Sequence, residues 1–184
     1  LGRLREVYED PTGVNYLTSY SYDALDNLAT VTQDTQTRTF VYDSLKRLKS
    51  ATNPEVCNQV GSQCTPIPVT YEYDNNGNLT QKTDARAIVT TYEYDALNRN
   101  TLVDYVGIGT NPDITRIYDT GTNGKGRLRE SYAGGNETTG SNVEHMKVQA
   151  YDVAGRPVDQ RQRFKTNSVW SAEYQTQRAY NLAG

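Results

Sequence analysis

The feature that most constrains this chain is a short motif that recurs along its length. Its fullest copy is YDNNGNL, from Tyr73 to Leu79, a Y-D-x-x-G-x-L pattern. Related copies read YDALDNL from Tyr22, YDSLKRL from Tyr42, YDALNRN from Tyr94 and YDVAGRP from Tyr151, while YDTGTNGKGRL from Tyr118 carries four extra residues between its Asp and its Gly. The chain opens on GRL and closes on YNLAG, so each end is expected to fall inside a motif. Aligned on the glycine position, the units sit at residues 2, 26, 46, 77, 98, 126, 155 and 184. The intervals are uneven, which places insertions between otherwise equivalent units.

Each unit has a mechanical reading. In VTYEYD, Val69, Tyr71 and Tyr73 share one face of an extended chain and Thr70 and Glu72 the other; Ile88 to Asp95 repeats the pattern with Tyr92 and Tyr94. Phe40 and Tyr42 are expected to share a face in the same way. Asp at the first turn position and a residue able to adopt positive φ at the fourth predict a type I turn closed by a G1 bulge. The predicted turns are Asp23–Asp26, Asp43–Lys46, Asp74–Gly77, Asp95–Asn98 and Asp152–Gly155. Lys46 fits the fourth position poorly, so strain or another turn type is expected there. Leu79 starts a return strand, LTQKT, that ends at a second turn signal, Asp84-Ala85-Arg86. No dozen-residue window carries a helical apolar stripe.

The residues held responsible for the structure are Tyr22, Asp23 and Leu28; Tyr42, Asp43 and Leu48; Tyr73, Asp74, Gly77 and Leu79; Tyr94 and Asp95; Tyr118, Asp119, Gly126 and Leu128; and Tyr151, Asp152 and Gly155. The expected fold is all-β: antiparallel hairpin repeats forming a curved sheet strip. One array spans residues 1–184, with an inserted Cys-containing loop at about 53–68. Composition agrees, because the hydrophobic fraction is 35% while Tyr alone numbers 15. That is thin for a two-layer core and suits a sheet packed by tyrosine.

The motif resembles the RHS or YD-repeat family, which includes bacterial RHS and wall-associated proteins, the C component of toxin complexes and animal teneurins. Tyrosine-led copies cover nearly the whole chain, several of them preceded by Y-x. The resemblance implies a sheet strip wound spirally into a hollow shell that encloses a toxic or processed C-terminal domain. It also implies a secreted or cell-surface location and, as partners, the adjacent repeats of the same parent chain and the enclosed domain. The family's self-cleaving region carries D-P-x-G elements; Asp10-Pro11-Thr12-Gly13 has those letters but lies in a spacer between ordinary units and reads as a type I turn.

Other chemistry is weakly signalled. The net charge of −3 with 19 Lys and Arg scattered among 22 acidic residues argues against nucleic acid or anionic lipid as partners. No run approaches a membrane span. Single Asp residues in turns do not assemble a calcium cage, so no metal is expected. Cys57 and Cys64 favour a disulfide over free thiols, and the lone His145 is too distant in sequence to suggest zinc or a nucleophilic pair. The run GTNGKG lacks the Ser or Thr and the spacing of a phosphate loop and reads as a lengthened hairpin tip. Asn78-Leu79-Thr80 and Asn136-Glu137-Thr138 match the glycosylation pattern. With no nucleophile, base and orienter converging, the chain reads as a non-enzyme without cofactors. Two functions remain: a containing wall, or a module whose tyrosines bind a glycan or cell-surface receptor. The tyrosines themselves are expected to pair across strands.

Overall fold

Alternation of β-branched and aromatic residues with polar ones, interrupted by Asp-led turns, produces a meander of antiparallel strands in the computed structural model. The structure describes residues 2–10, 12–60, 63–106, 113–135, 138 and 140–181. Among them there is no helix. The chain divides into two units, Leu1–Val89 and Thr90–Gly184.

The first unit holds β1 (Glu6–Glu9), β2 (Tyr16–Tyr22), β3 (Leu28–Gln33), β4 (Gln36–Tyr42), β5 (Leu48–Val60), β6 (Gln63–Tyr73) and β7 (Leu79–Thr83). Each pairs with the next in sequence order. It is a single layer, and none of its described residues is fully buried. One face carries Tyr20, Tyr22, Phe40, Tyr42, Tyr71 and Tyr73; the other is hydroxyl-rich, with Ser21 opposite Thr30, Thr30 opposite Thr39 and Thr39 opposite Thr52. Tyr71 and Tyr73 are half-buried around an exposed Glu72, and Phe40 and Tyr42 flank an exposed Val41, as the two-residue period requires.

The second unit follows with β8 (Val89–Tyr94), β9 (Asn100–Val106), β10 (Ile114–Tyr118), β11 (Leu128–Ala133), β12 (Val143–Tyr151), β13 (Pro157–Thr166), β14 (Val169–Trp170) and β15 (Tyr174–Gln177). Here β14 and β15 pair in succession with β13. This unit has a small core of Val103, Tyr132, Val143 and Val148. The β13–β14 turn helps to close it, since Ser168 N–H donates to the Ser141 carbonyl and Asn167 N–H to Asn142 Oδ1.

All five expected turns form. In each, the N–H of the fourth residue donates to the Asp carbonyl, and the Asp N–H donates to the carbonyl of the fifth, as in the Asp74–Gly77 and Asp74–Asn78 bonds of 3.2 and 3.0 Å. The fourth residues have positive φ, Asp26 at 67°, Asn98 at 60°, Gly77 at 88° and Gly155 at 83°. Lys46 makes the same turn with φ 63°, in the left-handed region, so of the two expected alternatives it is strain that is found. Asp84 leads another copy, closed by Ala87 at φ 61°, although no tyrosine precedes it. The Asp carboxylate explains both: it fixes the loop backbone firmly enough to hold an ordinary residue in the left-handed region, at about 1–2 kcal/mol of strain.

A Cβ on Gly77 would meet nothing within 4 Å, so backbone conformation alone sets the cost of substitution there. Gly77→Val should destabilise by about 1 kcal/mol or more, whereas Gly77→Asn should be nearly neutral. Thermal melts of the two variants check this; a valine variant that melts with wild type would refute the turn assignment.

Two expectations are corrected. The segment expected as a loop at about 53–68 has residues 53–60 and 63–68 in β5 and β6, which pair as a ribbon with Cys57 opposite Pro66 and Gln59 opposite Cys64, while residues 61 and 62 lie outside the described residues. Its Pro and polar content suggested a loop because a ribbon without a buried face has no alternating pattern to display. Nor do the tyrosines of β2 to β6 face one another across strands: Tyr20 faces Val31, Tyr42 faces Leu48, Tyr71 faces Lys82 and Tyr73 faces Leu79.

A second bulge follows each of several turns. Tyr73 pairs with Leu79 but Glu72 with Gln81, leaving Thr80 as an extra residue. The same shift recurs at Tyr22 opposite Leu28, Tyr42 opposite Leu48, Tyr118 opposite Leu128 and Tyr151 opposite Pro157. It adds local twist within each of these hairpins, beside its turn.

Candidate functional site

The recurring Asp is the anchor of each turn. Asp74 Oδ1 accepts the Asn76 and Asn78 N–H groups at 2.9 and 2.8 Å, and Oδ2 accepts the Asn78 amide at 2.8 Å. Asp43 repeats this with Leu45, Arg47 and the Arg47 Nε at 2.7 Å, and Asp95 with Leu97, Arg99 and the Arg99 Nε at 2.7 Å. Asp152 holds the Arg156 N–H and Nε at 2.8 and 2.7 Å. In the lengthened turn, Asp119 Oδ1 accepts from Gly126 N–H at 2.7 Å. That tip lies on the next repeat: Asn123 Nδ2 donates to the Tyr151 carbonyl at 2.9 Å, and Tyr151 N–H to the Thr122 carbonyl at 3.1 Å.

The tyrosine and the residues just before the motif's leucine join successive repeats. Tyr22 OH donates to the Leu4 carbonyl at 2.9 Å, Tyr73 OH to Leu48 at 2.9 Å, Tyr118 OH to Asn100 at 3.0 Å, Tyr151 OH to Leu128 at 2.5 Å and Tyr180 OH to Pro157 at 3.2 Å. Every acceptor occupies the leucine position of the preceding copy. The residue before it supplies a guanidinium over the same ring: Arg3 on Tyr22, Arg47 on Tyr73, Arg99 on Tyr118, Arg127 on Tyr151 and Arg156 on Tyr180, at 4.3 to 5.5 Å from the ring centroids. Where that residue is Asn, as at Asn27 and Asn78, its amide instead donates to the turn Asp.

Three of these arginines therefore do two jobs. Arg47, Arg99 and Arg156 each tie the Asp of their own turn and reach across to the next repeat, whereas Arg127 donates to the Asn123 and Lys125 carbonyls within its own turn. Arg47 Nη1 donates to the Asp74 carbonyl at 2.9 Å, and Arg99 bridges Asp95 and Asp119, with one Asp119 bond at 2.9 Å. Burial pushes the Tyr73 and Tyr151 hydroxyls up, which keeps them protonated donors. The latch spans a place where the ladder has opened, since β5 and β6 stop pairing at Ser50 opposite Thr70, short of the Leu48 carbonyl.

The turn carboxyls lie below the ordinary Asp value. The principal cause is a side-chain hydrogen bond for Asp23 (Asn27), Asp74 (Asn78), Asp84 (Arg86) and Asp95 (Arg99), and a backbone N–H for Asp43 (Arg47) and Asp152 (Arg156). Arg99 pulls Asp119 down to about 2. A carboxyl lowered on folding contributes stability above its unfolded value of about 3.9, and that contribution is lost as pH falls through the folded value. Asp113 runs the other way, raised by burial and by Asp104. The melting temperature should accordingly be level from neutrality to about pH 5 and then fall steadily toward pH 2. A level profile through pH 2.5 would show that these bonds stabilise nothing; each is solvent-screened, so the effect is their sum.

Outside the repeats' common parts, the second unit contains a polar cluster that the sequence did not signal. Glu130 accepts from Tyr132 OH at 2.7 Å, from His145 Nε2 at 3.2 Å and from Lys147 Nζ at 3.1 Å. His145 stacks on Tyr132 with centroids 4.2 Å apart and accepts from Arg163 Nε at its Nδ1, which assigns its proton to Nε2. Burial favours the neutral form of Glu130, but the Tyr132 and Lys147 hydrogen bonds outweigh it and hold the carboxyl below its usual range. No group of three or more metal-ligating side chains occurs among the described residues. Cys57 and Cys64 form a disulfide. Asn136-Glu137-Thr138 lies outside the described residues apart from Thr138, and at Asp10 the Gly13 N–H donates to the Asp10 carbonyl at 3.0 Å, with Pro11 outside the described residues.

These features define a tandem β-hairpin repeat protein whose successive hairpins are latched by Tyr, Arg and Asp. Residues 1–111 match the Teneurin YD-shell family, and the chain belongs to it. Its role is structural, as a piece of shell-like wall. The chain resembles a crystal structure of TcdB2-TccC3 without the hypervariable C-terminal region at 14% identity, over 93% of this chain and 10% of that one, with a TM-score of 0.49. It also resembles TcdB2-TccC3-Cdc42 at 17% identity, over 94% of this chain and 11% of that one, with a TM-score of 0.34. The chain thus spans about a tenth of the length of these solved chains. No curated protein matches it. Among the described residues, no helix is long and apolar enough to cross a membrane.

Proposed function

We propose that this chain is a wall segment of a YD-repeat shell that encloses a C-terminal polypeptide, such as a toxin domain, for delivery from a secreted or cell-surface protein. The observation that carries the reading is the latch between repeats. Its Tyr, Arg and Asp are spent on joining one hairpin to the next, which is what a continuous wall requires and what a ligand site does not. The partners are then the adjacent repeats of the parent chain and the enclosed polypeptide. Membership in the YD-shell family supports this role for the repeats, and the wall needs no catalytic group.

The test is limited proteolysis of the parent protein. The polypeptide following the repeats should resist protease while the wall is intact and be cut once several latch tyrosines are replaced by alanine. Equal cleavage in both would overturn enclosure. Reproducible capture of one glycan class by the present chain on an array would favour a carbohydrate-binding surface instead.

A further inference from the structure

The ribbon formed by the outer parts of β5 and β6 differs from every other hairpin of the first unit. The pairing of β5 with β4 ends at Thr52 opposite Thr39, and that of β6 with β7 begins at Thr70 opposite Thr83. Beyond these points β5 and β6 pair with each other alone: Cys57 with Pro66, Asn58 with Thr65 and Gln59 with Cys64. Between ribbon and wall the register jumps, because β5 passes from Thr52 to Cys57 while β6 passes from Pro68 to Pro66. Pro66 and Pro68 have no N–H, so the outer edge of β6 cannot offer β7 donors at those positions.

A two-stranded ribbon with no third strand and no covering layer is marginal in water. Beside its own ladder, an ion pair between Arg38 and Glu55 ties its base to β4, and the Cys57–Cys64 bond closes the ribbon itself. Cys64 is exposed and Cys57 half-buried, so the bond is open to attack from solvent. Closing so small a ring removes enough freedom from the open state to decide whether the ribbon stays paired.

We propose that this ribbon is a redox-gated arm, paired while the disulfide is intact and melted back to Thr52 and Pro68 when a dithiol reduces it, with the sheet behind it unchanged. The chemistry balances without a cofactor. A thiolate of the dithiol bonds to the Cys64 sulfur, the protein S–S bond breaks, and Cys57 leaves as a thiolate that takes up a proton. The second thiol of the reagent then displaces Cys64, giving two protein thiols and one reagent disulfide. An arm of this kind is rigid in an oxidising exterior and slack in a thiol-rich compartment, and the inference stands whether or not the wall encloses a cargo.

Hydrogen exchange followed by mass spectrometry, with and without dithiothreitol, tests it. On reduction the amides within Cys57–Gln59 and Cys64–Thr65 that bond across the ladder should exchange roughly 30- to 150-fold faster, while Leu79–Thr83 changes less than about twofold. A C57S/C64S double variant should exchange as the reduced protein does and ignore the reductant. Unchanged exchange after a two-proton mass gain has verified reduction would overturn the proposal. So would acceleration shared equally by Leu79–Thr83, or a double variant as slow as the oxidised protein.

Discussion

Replacing Glu130 with alanine should lower the stability of the second unit by about 3 kcal/mol or more, the largest single effect expected in this chain. Glu130 is the common acceptor for Tyr132 OH, His145 Nε2 and Lys147 Nζ. Tyr132 and His145 are each only 4% exposed, so water has little access to the donors once the carboxylate is gone. The loss is therefore dominated by removing the acceptor that a buried hydroxyl and a buried imidazole N–H share, together with the counter-charge of Lys147. Glu130→Gln keeps an acceptor and removes the charge, and should cost clearly less. Urea titration of the three proteins decides it: an alanine variant within about 1 kcal/mol of wild type would mean that the cluster relaxes around the gap and does not hold the fold.

Truncating a latch tyrosine is the second large effect. Tyr73→Ala should cost about 2–3 kcal/mol, because it removes a half-buried ring opposite Leu79, the platform beneath Arg47, and the donor to the Leu48 carbonyl. Tyr73→Phe deletes the hydroxyl alone and should cost about 1 kcal/mol. Arg47→Ala, measured singly and with Tyr73→Ala, gives the coupling between the two residues. A coupling energy near 0.5–1 kcal/mol is expected for a guanidinium over a partly exposed ring. Strict additivity would show that the ring and the guanidinium are neighbours without a mutual interaction, and the latch would reduce to the single hydroxyl bond.

Much of this protein was settled by local sequence. Asp at a turn's first position, a residue tolerant of positive φ at its fourth, and two-residue alternation before it act over a handful of neighbouring residues, so YDNNGNL specifies its hairpin without help. The turns at Asp23, Asp43, Asp74, Asp95 and Asp152 were legible for that reason. The joining of the two cysteines was also favoured by the sequence, because closing so short a loop costs little chain entropy.

The joints between hairpins and the Glu130 cluster lay beyond reach because most of their partners are 15 to 28 residues away in sequence. The acceptor of each tyrosine hydroxyl is the previous repeat's backbone, and a carbonyl carries no residue letter, so neither Leu48 nor Leu128 announces it. The extra bulge residues, Thr80 and Arg129 among them, share no chemistry; their position is imposed by the strand opposite. Lys46 and Ala87 defied their own preferences because the Asp side chains of their turns outweigh the backbone strain. Glu130 and His145 looked unremarkable in the sequence, and only the register of β11 against β12, with Tyr132 opposite His145 and Glu130 opposite Lys147, made them one cluster. Local sequence settled the Asp-led hairpins, since each of their turns is held by contacts within a few residues. How one hairpin holds the next was decided by tertiary structure, where strand register brings distant side chains to a common backbone.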